Sequence, residues 1–234
     1  MFLINKNSVV DISTNDSYCF HTEQVQAEYV RNNGPAEISI IEYVRDKYVI
    51  EDKAVIDIGA HCGFYTFELG KKAQHVHAFE CSKKTFCYLC ANVALHNLEN
   101  KTSVYNIALS NVSGTCTFYN RTEDGGSDGI MDLPLTNYRD KYTVEQQTLD
   151  YYNLTNIGFI KIDVEGNEEK VIQGAITTIK NNNFPPLLFE SWDKPEIYYI
   201  NMRTRLFRII KMLGYTITPI FGRTDMFIAE KVII

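Results

Sequence analysis

The sequence predicts an α/β domain built on a doubly wound, mostly parallel seven-stranded sheet, with an antiparallel C-terminal strand and helices on both faces. Three observations predict it. Short apolar runs alternate with segments of helical period along most of the chain. The run at 54–58 passes through Gly59 and Gly63 into an amphipathic stretch, which reads as a buried strand, a tight glycine turn and a helix. Finally, successive strands end in acids at one edge: Asp57, Glu80, Asp163 with Glu165, and Glu190. An open sheet of this kind is Rossmann-like, and it binds ligands outside the carboxyl ends of its strands.

The bulk properties exclude several classes. At 234 residues, with 45% hydrophobic and 22% charged residues, the chain suits one globular unit with a full core. A net charge of -6 argues against a nucleic-acid partner, which wants clustered Lys and Arg. No apolar run reaches the length of a membrane span. The opening MFLINKNSVV lacks a basic n-region, so no signal peptide and a cytoplasmic location are expected. Six cysteines without an export signal read as reduced, buried small hydrophobes, Cys87-x-x-Cys90 included.

Element by element, residues 1–50 are expected to form a helical and extended N-terminal cap, ending in a helix over 36–48 after the Asn33-Gly34-Pro35 breaker. Residues 51–234 form the main domain. Strand 54–58 leads to a helix over 64–71, and strand 76–79 ends at Glu80. Ser82 then caps a helix running to His96. Residues 103–108 read as a third core strand. The stretch 109–148 breaks the alternation, with a hairpin arm at 115–120, the polar, glycine-rich run 120–138 and a strand at 143–148. Such an excursion is more often a functional loop than packing. Strand 158–162 ends in Asp163 and is followed by a helix over 168–180. Strand 187–190, a helix from Pro195 to Leu213, and strands 215–218 and 226–230 complete the chain.

Asp57-x-Gly59-x-x-x-Gly63 is not the spacing of a dinucleotide site, and no P-loop lysine accompanies it. A carboxylate at the strand tip before this turn suits a nucleoside joined to an amino acid, as in S-adenosylmethionine (SAM). Glu80 is placed to accept ribose hydroxyls. Backbone amides at Gly59, Ala60 and Gly63 are expected to meet the methionine carboxylate near a helix N-terminus. Lys161-Ile-Asp163-Val-Glu165-Gly166 is the second strong signal, and its two acids fit three roles. They suit a base or substrate contact beside the methyl donor, an oxygen pair for a divalent cation, or structural partners of Lys161. His61 is either a general base or a backbone neighbour of the cofactor. Trp192 is either a wall for a sugar ring or packing.

With these motifs in place, the chain resembles the FkbM family of class I SAM-dependent methyltransferases. The resemblance runs from about 51 to 231. It rests on the glycine motif at 57–66, H-A-F-E at 77–80, N-I-A-L-S at 106–110, Thr148-Leu149-Asp150, F-I-K-I-D-V-E-G at 159–166 with Glu168, and L-L-F-E-S at 187–191. His61 stands where the family usually has Asn, and Cys81 where it has Pro. The resemblance implies cofactor contacts from Asp57, Gly59, Ala60, Gly63, Tyr65, Thr66, Glu80, Cys81, Ala108 and Asp163. It implies catalytic roles for Asp163, Glu165 and Glu190, with His61 in reserve, and assigns no residue to a metal. The implied reaction is O-methylation of a sugar hydroxyl on a glycan or glycosylated acceptor. The alternatives are a small phenolic or polyketide acceptor, or a non-catalytic SAM-binding domain.

Overall fold

The computed structural model describes residues 8–11, 18–21, 37–122, 126–134 and 136–231. Most of the expected cap and the stretch 123–125 therefore lie outside the described residues. Two short strands, β1 (Ser8–Asp11) and β2 (Tyr18–His21), pair antiparallel. Helix α1 (Ile38–Tyr48) then buries Ile40, Ile41, Val44 and Tyr48 against the main sheet's first layer.

That sheet has seven strands. In chain order they are β3 (Ala54–Ile58), β4 (His75–Phe79), β5 (Thr102–Tyr105), β9 (Ile157–Ile162), β10 (Leu187–Glu190), β11 (Tyr215–Pro219) and β12 (Met226–Lys231). The spatial order is β11-β12-β10-β9-β3-β4-β5. The five strands from β10 to β5 run parallel, and β12 lies antiparallel between β10 and β11, as the sequence predicts.

Strand alternation divides the core in two. Val55 joins Ile41, Phe67 and Leu89 on one face, beneath α1, α2 (Phe64–Gly70) and α3 (Lys83–Leu95). Ala54, Ile56 and Ile58 join Ile172, Ile179 and Ile210 on the other, beneath α4 (Glu168–Gln173), α5 (Ile176–Asn181) and α6 (Ile197–Met212). No helix among the described residues is long and apolar enough to cross a membrane. Cys62, Cys81, Cys87, Cys90 and Cys116 are free thiols, and Cys87 is exposed rather than buried as expected.

Two expected elements are divided. The strand expected over 103–108 ends at Tyr105. There Asn106 turns the chain by donating its side-chain amide to the carbonyls of Glu80 and Cys81 (2.9 and 3.2 Å). The next two residues form β6 (Ala108–Leu109), which joins a separate sheet with β8 (Asp140–Gln147) and β7 (Gly114–Asn120). The helix expected over 168–180 breaks at Gly174. A Cβ there would sit 2.1 Å from the Ser110 carbonyl oxygen, so only glycine lets the two segments touch. The second half starts afresh because Asp150 accepts the amides of Thr177 and Thr178 (3.0 and 2.7 Å), a cap that no local pattern announces.

Candidate active site

The carboxyl ends of β3, β4, β6 and β9 surround a cavity of about 260 Å³. Its floor is the glycine turn. Gly59 (φ 74°) is forced by proximity, since a Cβ would lie 1.7 Å from the carbonyl oxygen of Asp163. The turn's amides do not face a ligand as expected. Those of Gly59 and Ala60 both donate to the Phe79 carbonyl (2.9 and 3.0 Å), and that of Gly63 donates to Ala60 (2.8 Å). The loop is stapled to β4, and Gly59 and Ala60 offer a ligand close backbone rather than donors.

Three residues of the implied cofactor set lie beneath the loop instead of in the cavity wall. Asp57 is fully buried, accepts the Thr66 hydroxyl at 2.6 Å and faces the Lys161 ammonium at 3.4 Å. Gly63 packs against Phe67 and Leu89. Asp57, Gly63 and Thr66 thus tie β3 to the first turn of α2. Gly59, Ala60, Tyr65, Glu80, Cys81, Ala108 and Asp163 do line the cavity.

Glu80 is 8% exposed. Its oxygens accept the amides of His61 (2.9 Å) and Ser82 (2.8 Å), which aims the carboxylate; burial raises its pKa against those two bonds. Each carboxylate oxygen can accept a second donor, so a diol still finds acceptors there. His61 belongs to the Glu80 side of the cavity, with its amide on that acid, and is not among the acids gathered opposite.

Those acids converge at the tips of β9 and β10. One oxygen from each of Asp163, Glu165 and Glu190 lies within 4.8 Å of the others. The chain reverses through Glu165 (φ 55°) and Gly166 (φ 103°), so Glu165 stands on a left-handed turn rather than on an extended strand. Glu168, itself buried, holds that turn by accepting the amides of Val164 and Gly166 (both 3.1 Å). Three carboxylates this close repel one another. Burial, then Asp163 and Glu190, push Glu165 up to about 10. Burial and Asp163 push Glu190 up to about 9. Glu168 rises to about 7, chiefly by burial. The same three oxygens are a donor set that a divalent cation accepts.

The raised acids bear on stability. Between the ordinary carboxylate range and about pH 9, the folded protein holds protons at Glu165 and Glu190 that the unfolded chain has released. Stability therefore falls as pH rises through that window, by up to about 1.4 kcal/mol per pH unit for each proton. Glu165→Gln removes one such proton. The variant is expected to match the parent at pH 5 and to exceed it at pH 8. Urea unfolding at both pH values checks this, and parallel pH slopes would mean that Glu165 titrates normally.

Sequence reasoning assigned no site role to four members, one of which, Lys161, it named only as a structural partner of the acids. Lys161 is a buried cation, 3.5 Å from Asp163, that also donates to the Gly59 carbonyl (2.7 Å). Burial alone would lower it, but Asp163, Asp57 and Glu37 together raise it. Glu37 reaches the cavity from before α1, accepting the Tyr65 hydroxyl (3.0 Å) and an Arg223 guanidinium N–H (2.6 Å). Asn167 lines the cavity with its Nδ2 on the Leu109 carbonyl (3.0 Å), while its buried Oδ1 has no partner among the described residues. Arg121 fastens the 120–138 segment through the carbonyls of Ser127 and Met131, and Asp128 accepts the amides of Arg121 and Thr122. Gly129 lies on the site, since a Cβ there would stand 3.2 Å from the Glu165 Cβ. Only the Lys161 carboxylate ties had a local signal, in the alternation of Lys161 with Asp163.

Comparison with known proteins gives the family and the fold. Residues 57–216 match the family model described as the Methyltransferase FkbM domain. The methyltransferase FkbM of Methylobacillus flagellatus superposes with a TM-score of 0.55 at 14% identity, over 77% of this chain and 44% of that one; the chain thus spans less than half of that protein. The O-methyltransferase of Bacillus cereus, solved in complex with S-adenosylhomocysteine (SAH), gives 0.52 at 13% identity, over 88% and 86%. The precorrin-6y C5,15-methyltransferase of Geobacter metallireducens gives 0.51 at 10%, over 85% and 90%. At these identities the likeness is one of fold. No curated protein matches the sequence significantly.

Proposed function

Because the chain belongs to the FkbM methyltransferase family, we propose that it transfers a methyl group from SAM to a sugar hydroxyl of a glycan or glycosylated acceptor. The cofactor is SAM. The cavity fits it on three counts. Glu80 presents a carboxylate aimed by two amides, a match for ribose hydroxyls. Phe79, Ile107, Leu109, Phe118 and Ile130 supply an apolar wall for a flat base. The orphaned Asn167 Oδ1 wants a donor, and adenine carries an amino group. Bound there, SAM supplies an electrophilic methyl group.

The observation that carries the acceptor side is the convergence of Asp163, Glu165 and Glu190 at the cavity edge. An aliphatic hydroxyl attacking carbon must lose its proton as the bond forms, and a carboxylate within reach can receive it. The cluster carries protons at neutral pH, so its members divide the labour. A protonated carboxyl donates a hydrogen bond to one sugar hydroxyl while an ionised neighbour accepts the proton of the next. Lys161 keeps positive charge beside Asp163. Most of the rate enhancement comes from holding the two reactants in line and excluding water. Gly129, close against Glu165, supports the second task.

Labelled SAM offered with a panel of glycans and phenols tests the acceptor class. Label is expected on the glycans, and label confined to phenols would overturn the sugar assignment. The cofactor side has its own test. Glu80→Ala removes a charged acceptor worth about 1.5–3 kcal/mol, hence roughly 10- to 150-fold in SAH affinity. Calorimetric titration reads it directly, and unchanged affinity would place the ribose elsewhere.

A further inference from the structure

A second groove, of about 420 Å³, opens beside the acid cluster and shares Glu165 with the cofactor cavity. Arg121, Trp192 and Lys194 line it together with Thr122 and Asn137. Trp192 was expected to offer a ring face to a sugar or merely to pack. It packs edge-on against Tyr199 (ring centroids 5.6 Å apart), and the Lys194 ammonium stands 4.4 Å from its ring centre and 4.6 Å from that of Tyr199. The ammonium covers the indole face that a neutral sugar would stack on, so this wall presents charge. Lys194 has no carboxylate within ion-pair distance among the described residues, whereas the neighbouring Arg203 is paired with Asp193 (3.1 Å) and Arg205 with Glu169 (2.8 Å). Arg121 has Asp128, Asp132 and Glu165 around it, so Lys194 is the groove's unmatched cation. The groove therefore presents two cations, Lys194 unpaired among the described residues, in a protein whose net charge is -6.

We propose that the acceptor is an anionic sugar, whose carboxylate or phosphate docks against Lys194 and Arg121 while its reacting hydroxyl reaches the Asp163–Glu165–Glu190 cluster. The proposal rests on the sugar-hydroxyl assignment above. An anion satisfies both cations with charge-assisted hydrogen bonds. It also leaves the sugar ring in the groove, where Thr122 and Asn137 offer polar partners.

The test compares methyl transfer from labelled SAM to matched methyl glycosides in gluco, galacto and manno configuration. Each is presented as the neutral sugar, the uronic acid and the 6-phosphate. At least one anionic series is expected to exceed its neutral partner about tenfold in kcat/KM, with the better of the two identifying the anion. Lys194→Gln is expected to shrink that ratio mainly through KM, and 0.5 M salt to shrink it in the parent. Equal kcat/KM for neutral and anionic members, or a ratio indifferent to Lys194→Gln, overturns the anion proposal and leaves the sugar assignment standing. Transfer to none of the glycosides, with SAH still bound, removes the sugar assignment and this proposal with it.

Discussion

Gly59→Ala is expected to destabilise the protein by about 3–5 kcal/mol, the range of severe backbone and packing conflicts. The new Cβ would lie 1.7 Å from the Asp163 carbonyl oxygen and 2.8 Å from its carbonyl carbon. Both belong to backbone at the exit of β9, so neither can step aside as a side-chain tip would. The residue must also hold φ at +74°, which costs a non-glycine residue about 1–2 kcal/mol. Against a typical total of about 5–15 kcal/mol, this is a large fraction. In a chain of this size it corresponds to a fall in Tm of roughly 6–20 °C. Gly222→Ala supplies the control, since Gly222 has φ +72° but nothing within 4 Å of its would-be Cβ. It should lose only the backbone part. Scanning calorimetry of both variants decides the matter: equal losses would mean that contact with Asp163 contributes nothing.

Asp163→Asn is expected to lower turnover by roughly 10²-fold or more, the range usual for loss of a general base. The substitution keeps the side chain's shape and removes its charge. Lys161 retains Asp57 at 3.4 Å, so the buried cation keeps an anionic partner and the fold should survive. SAH affinity should move much less than turnover, because Asp163 shares the cavity wall with many other residues. Turnover on the acceptor and SAH binding are to be measured in parallel. If Asp163→Asn, Glu165→Gln and Glu190→Gln all kept near-parental turnover, proton removal would pass to His61, or alignment alone would account for the rate.

Much of the site was legible because its signals are local. An apolar run closed by an acid announces a strand tip wherever it occurs, and the chain carries this signature at Asp57, Glu80, Asp163 and Glu190. Placing those tips at one sheet edge needed only the parallel connectivity implied by the strand–helix alternation. The divided elements were not legible for the opposite reason. Residues 103–108 read as one strand, and the break at Tyr105 comes from Asn106 reaching back to the carbonyls of Glu80 and Cys81. Likewise, the new start of α5 depends on Asp150, more than twenty residues upstream.

The sequence by itself determined the fold class and the acids at the strand tips, since periodicity, turn glycines and strand ends are properties of neighbouring residues. Tertiary structure alone decided which polar groups face the cavity. It withdrew Asp57, Thr66 and Gly63 into the core and spent the amides of Gly59 and Ala60 on the Phe79 carbonyl. It brought Lys161 to Gly59 across 102 positions and Arg223 to Glu37 across 186. Polar groups taken from water favour a partner, and in a doubly wound sheet that partner can lie far along the chain.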